Sequence, residues 1–167
     1  AGKEEILTRR IGRNELKVIE VMGAYVDAQR EYAAKDWDGD GKREFAQKLS
    51  STPGKKDGLY WESKEGEEES PLGPLAAKAA LARYGKQSKA NRPKSDKPTP
   101  FYGYYFKILK AQGENANGGA YDYVVNGSMV LGFGLVAWPA KYGSSGIMTF
   151  IVNQEGIIYE KNLGTDT

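Results

Sequence analysis

Histidine and cysteine are both absent from this chain. Their absence excludes Ser-His-Asp and Cys-His nucleophilic sites, zinc held by Cys or His, haem ligated by either residue, and thiol redox chemistry. Carboxylate, Lys, Tyr, Ser/Thr and backbone chemistry remain. A large excess of one charge is missing too: 24 Lys+Arg stand against 22 Asp+Glu, for a formal net charge of +2. That balance argues against a nucleic-acid partner gathered by long-range attraction. No apolar run is long enough to span a membrane, and the 1–13 segment carries Lys3, Glu4, Glu5, Arg9, Arg10 and Arg13. Such a segment is neither a signal peptide nor a membrane span. A chain opening Ala-Gly rather than Met reads as processed or trimmed.

What is present suits one domain. A length of 167 residues lets a fold bury roughly two thirds of its unfolded surface, so neither a disulfide nor a metal is obligatory for stability. The domain is expected over 14–167, with a helical half at 14–85, an exposed loop at 86–100 and a sheet half at 101–167. Asn14 followed by Glu15 and Leu16 reads as a helix start, and Leu16, Ile19, Met22, Val26 and Ala33 follow at three- and four-residue spacing. Val18, Tyr25 and Tyr32 form a second stripe. The spacing predicts a helix to about Lys35, roughly 30 Å long. Gly23 inside it predicts close approach of another backbone.

Asp36-Trp37-Asp38-Gly39-Asp40-Gly41 stops that helix. A short helix with Phe45 and Leu49 inward is expected next, then turns around Tyr60-Trp61. Pro74 to Gly85 has the Pro start and Gly stop of a further helix. From Phe101 the pattern becomes β-type. Strands are expected at Phe101 to Lys110, Tyr121 to Val125, Met129 to Trp138, Ile147 to Val152 and Ile157 to Lys161. Asn126-Gly127 and Asn153 to Gly156 are hairpin turns. Helices first and strands second predict an α+β fold, a long spine helix and short helices on an antiparallel sheet of about four strands.

Longer strings carry a resemblance. Asp57-Gly58-Leu59-Tyr60-Trp61, Ser70-Pro71-Leu72-Gly73-Pro74-Leu75, Gly103-Tyr104-Tyr105-Phe106, Gly118-Gly119-Ala120-Tyr121-Asp122-Tyr123 and Tyr159-Glu160-Lys161-Asn162-Leu163-Gly164 resemble the bacterial domain-of-unknown-function 2950 family, from about Arg10 onward. The resemblance implies a secreted bacterial protein, in the periplasm or at the cell surface, and no activity. More loosely, Ala28-Gln29-Arg30-Glu31-Tyr32, the Asp36 to Gly41 run and Tyr142 to Phe150 are similar to soluble domains of pilin-like and pseudopilin-like proteins. Those pack a spine helix on an antiparallel sheet. Ala1 to Arg13 departs from them, having no apolar membrane-spanning stretch.

The sharpest candidate site is Asp36, Asp38 and Asp40, followed by Gly41. Carboxylates at alternate positions of a tight loop can converge on one hard cation, and calcium is the candidate. In a twelve-residue calcium loop Lys42 offers its backbone carbonyl and Glu44 takes the ninth place. Gln47 stands where a bidentate Glu is usual. The plain alternative is a solvated Asp-Gly turn. Tyr60, Trp61 and Tyr142 are candidate stacking surfaces for an extracellular glycan or peptide. Glu62, Glu65, Glu67, Glu68, Glu69 and Asp122 supply carboxylates for a hydrolase only if two are held together across a substrate. Lys141 with Ser144-Ser145 lacks any recognised nucleophile frame. The favoured expectation is a non-catalytic pilin-like structural or interaction module. Cell-envelope proteins or surface polymers are its expected partners, and nucleic acid is not.

Overall fold

The structure, a computed structural model, describes residues 2–75 and 100–167. Helix α1 spans Gly2–Tyr32. The strands follow as β1 (Tyr104–Leu109), β2 (Ala111–Gln112), β3 (Tyr121–Asp122), β4 (Val124–Val125), β5 (Ser128–Met129), β6 (Gly134–Pro139), β7 (Met148–Asn153) and β8 (Ile158–Asn162). Four of them form one sheet in the order β1-β6-β7-β8, and every neighbouring pair is antiparallel. The fold is α+β.

Local chemistry explains the strand half. Asn126 (φ 50°) and Gly127 (φ 83°) both take the left-handed conformation, which a two-residue type I′ turn needs, and they join β4 to β5. Between β7 and β8, Asn153 Oδ1 accepts the N–H groups of Glu155 and Ile157, each at 3.0 Å. The expected strands at Tyr121 to Val125 and Met129 to Trp138 are each divided. Tyr123 breaks off to take the Lys110 carbonyl at 2.8 Å, and its own carbonyl receives the N–H groups of Val130 and Leu131.

The core lies between α1 and one sheet face. Val18, Met22, Tyr25 and Val26 meet Tyr104, Leu135, Ala137, Phe150 and Val152 there, each large side chain contributing roughly 1.5–3 kcal/mol by leaving water. The buried stripe of α1 is therefore the one through Val18 and Tyr25. Leu16 and Ile19 face outward, Leu16 at 70% exposure. Gly23 is also exposed, with no atom near the position of a side chain, so no close backbone approach explains it.

The helix begins at Gly2 rather than Asn14. Glu4 and Glu5 sit in its first turn, where they complement the N-terminal partial charge, and Arg9 pairs with Glu5 one turn away. Asn14 serves as a tie: its amide donates to the Ser145 carbonyl at 2.8 Å. Glu15 Oε1 accepts the N–H groups of Ile147 and Met148 at 3.0 and 3.1 Å. These bonds fasten α1 to the start of β7. Residues 42–50 do not form the expected short helix. Phe45 instead pairs with Met129, and the fully buried Gln29 side chain brackets Ala46, donating to its carbonyl and accepting its N–H, both at 2.8 Å. Beyond Leu75, the helix expected to Gly85, the loop at 86–99 and the basic run Lys78 to Lys97 lie outside the described residues. Among the described residues, no helix is long and apolar enough to cross a membrane.

Candidate functional site

Immediately past α1, Trp37 Nε1 donates to the Tyr32 carbonyl at 2.9 Å, and the two rings stack 6.2 Å apart. That contact turns the chain and leaves the flanking aspartates in solvent. Asp36, Asp38 and Asp40 each bring one carboxylate oxygen within 4.8 Å of the others. Among the described residues they form the one such group of three.

Three close carboxylates repel one another, and the loop offsets this with backbone N–H groups. Asp36 accepts from Gly39 and Gly41, both at 2.8 Å. Asp40 Oδ1 accepts the Lys42 N–H at 2.8 Å, and Asp38 Oδ1 accepts the Asp40 N–H at 3.3 Å. The Gly41 N–H is the main cause that holds the Asp36 carboxyl below its ordinary range. Gly39 (φ 77°) and Gly41 (φ 87°) supply the left-handed turns. The Lys42 ammonium lies 3.4 Å from Asp40 Oδ2. Each carboxylate keeps unused lone pairs.

Glu44 stands outside this trio. It is half-buried, and its Oε2 is shielded from solvent without a hydrogen-bond partner. Its ninth place came from counting along a twelve-residue loop, and just beyond it Gln29 holds the chain at Ala46 in an irregular path.

The aromatic candidates divide. Trp61 is only 8% exposed, packed 4.9 Å from Trp37. Lys56 Nζ lies 5.3 Å from the Trp37 ring and 5.2 Å from that of Trp61. Tyr60 and Trp61 border an open recess of about 760 Å³ that also includes Lys56, Lys64, Glu67 and Glu68. Tyr142 belongs elsewhere, in the β6–β7 loop, bonded to Asn162 Oδ1 at 3.1 Å. Two members of the acidic run are engaged within the fold: Glu68 pairs with Lys35, on the far side of the aspartate loop in sequence, and Glu67 accepts the Lys64 N–H.

The family model described as Protein of unknown function (DUF2950) matches residues 1–167. The chain belongs to the DUF2950 family. No curated protein and no solved structure matches it. In this DUF2950 member the positions that sequence reasoning missed are Asn14, Glu15, Gln29 and Asp57. Gln29 carried a signal, being an amide on the face that holds Val18, Met22 and Tyr25. Asp57-Gly58 reads as a turn signal but names no partners: Asp57 accepts Thr52 N–H and Oγ1 and the Lys48 ammonium, which the folded loop brings to it.

Proposed function

We propose that this chain is a non-catalytic structural or interaction module of the bacterial cell envelope, built in the manner of pilin-like soluble domains and steadied by calcium at the end of its spine helix. The observation that carries the reading is the convergence of Asp36, Asp38 and Asp40 at the point where α1 ends. A hard cation there would gather three carboxylate oxygens, take the place of the Lys42 ammonium, and pin the irregular segment to the helix. Lys42 would add its carbonyl. Glu44 would join only if the chain after Gly41 shifted.

The donor set also favours a location outside the cytoplasm. With Gln47 in place of a bidentate glutamate, binding falls in the weak range of about 10⁻⁴–10⁻³ M found in extracellular modules. Calcium that weakly held is useful only where the ion is abundant. The missing histidine and cysteine, and the engagement of Glu67 and Glu68 by lysine partners within the fold, favour a module over an enzyme.

Thermal unfolding of the chelator-treated chain, with and without 5 mM calcium as a rough working level, tests the reading. A site binding at about 10⁻⁴ M gains about 2 kcal/mol by mass action, hence a rise of roughly 5–9 °C. The paired variant Asp38→Ala/Asp40→Ala is expected to lose that rise. No rise in the parent chain would return the loop to a solvated turn.

A further inference from the structure

The four-stranded sheet has two faces, and α1 occupies one. Alternation along the strands puts Tyr104, Ile108, Leu135, Phe150 and Val152 beneath the helix. It turns Tyr105, Lys107, Val136, Trp138, Ile151, Tyr159 and Lys161 to the other side, together with Thr149, which lies opposite Lys161 and is only 8% exposed. The register makes this second set contiguous. Lys107 lies opposite Val136, Val136 opposite Ile151, and Ile151 opposite Tyr159, one row across all four strands. Tyr105 lies opposite Trp138 in the adjoining row, with ring centroids 5.9 Å apart. Ile151 and Tyr159 are 41% and 56% exposed, and both lysines are exposed.

Charge on this face is one-sided. The single acidic residue within the four strands is Glu160, and it pairs with Phe150, so it sits on the helix side. Tyr105, Trp138, Ile151 and Tyr159 thus make an apolar diagonal between two ammonium groups, spanning three strand spacings or roughly 14 Å. An apolar surface rimmed by polar groups marks a contact site. The negative faces of aromatic rings favour the C–H-bearing face of a pyranose, and each lysine presents a compact positive charge to a carboxylate. A nucleic acid, with a phosphate at every nucleotide, calls for a denser array of cations than two lysines in a chain of net charge +2.

We propose that the face of the sheet opposite α1 binds an acidic polysaccharide, a chain of uronic acid units that stacks on Trp138 and Tyr159 and pairs its carboxylates with Lys107 and Lys161. The site is separate from the aspartate loop and does not depend on calcium there.

Titration calorimetry and affinity electrophoresis of the full chain with polygalacturonate test it. Neutral dextran, a single-stranded oligodeoxythymidylate and vesicles rich in phosphatidylglycerol serve as comparators. Polygalacturonate is expected to bind and dextran to bind far more weakly. Tyr159→Ala is expected to weaken binding about tenfold, and Lys107→Gln/Lys161→Gln to weaken it while flattening its salt dependence. Both variants change exposed side chains, so an unaltered melting temperature separates lost binding from lost folding. Absence of polygalacturonate binding, unchanged affinity in either variant, or tighter binding to the oligonucleotide or vesicles would each overturn the proposal.

Discussion

In the β1-β6-β7-β8 sheet, backbone groups pair with one another in an unbroken antiparallel register. Between Ala33 and Leu72 side chains supply many of the partners. Asp36 takes the N–H groups of Gly39 and Gly41, Gln29 takes both backbone groups of Ala46, and Tyr32 Oη donates to the Lys56 carbonyl at 2.8 Å. Asp57 holds Thr52. Burial is nonetheless alike, because Leu59 in the irregular segment and Leu135 in β6 are both completely enclosed. The difference teaches that regular structure is one way to satisfy a buried backbone, and that a set of well-placed polar side chains is another. The second way concentrates the outcome in a few residues.

The most direct way to break the comparison is to shorten one leucine on each side of it. Leu59→Ala and Leu135→Ala are each expected to lower stability by about 2–5 kcal/mol in urea unfolding. A cost below about 1 kcal/mol for Leu59 alone would mean the irregular segment lies on the core without belonging to it. Gln29→Leu comes next, because it leaves the Ala46 N–H and carbonyl enclosed without partners. A loss of about 2–4 kcal/mol is expected, with faster hydrogen exchange at Ala46; an unchanged exchange rate would sink the bracket.

Asp57→Asn is expected to cost about 1–2 kcal/mol at neutral pH. The Lys48 hydrogen bond is the first cause that keeps the Asp57 carboxyl well below the usual carboxylate range, aided by the Thr52 N–H and hydroxyl. Its folded value is depressed, so its contribution is complete above the unfolded value of about 3.9 and is lost as pH falls toward the folded one. Melting temperatures of parent and variant should therefore converge in acid; a constant gap from neutral to strongly acidic pH would contradict the pairing. The smallest effect belongs to the helix. Gly23→Ala faces open space and is expected to raise stability by about 0.5–1 kcal/mol, and a loss on calorimetry would reveal a neighbour at that position.

The same contrast separates what could be read in advance from what could not. Periodicity found α1 and the later strands because burial of one face repeats at 3.6 or 2 residues. Asn126-Gly127 named its turn because few residues accept two positive φ values in succession. The aspartate trio was legible as a string. Asn14 misled because a side chain suited to cap a helix is equally suited to tie one to a distant loop. Phe45 and Leu49, four residues apart, suggested a short helix after the aspartate loop, and the tertiary bracket from Gln29 overrode that tendency. Trp61 could not be told from a surface ring, since its burial depends on Trp37 and Lys56, brought near by the fold rather than by spacing.

The ties between α1 and β7 also set a sequence of events in time. Glu15 is joined to Met148 across 133 positions of chain and Tyr25 to Gly134 across 109. A ribosome adding roughly 5–20 residues per second takes about 5–25 seconds to cover that distance, whereas helix formation is complete within about a microsecond. The apolar side of α1 is thus made early and enclosed late, and an unfinished chain carries it uncovered. Such a nascent chain depends on whatever shields that side, and slowing the synthesis of any stretch between α1 and β7 should lower its yield, whereas slowing the synthesis of α1 itself should not.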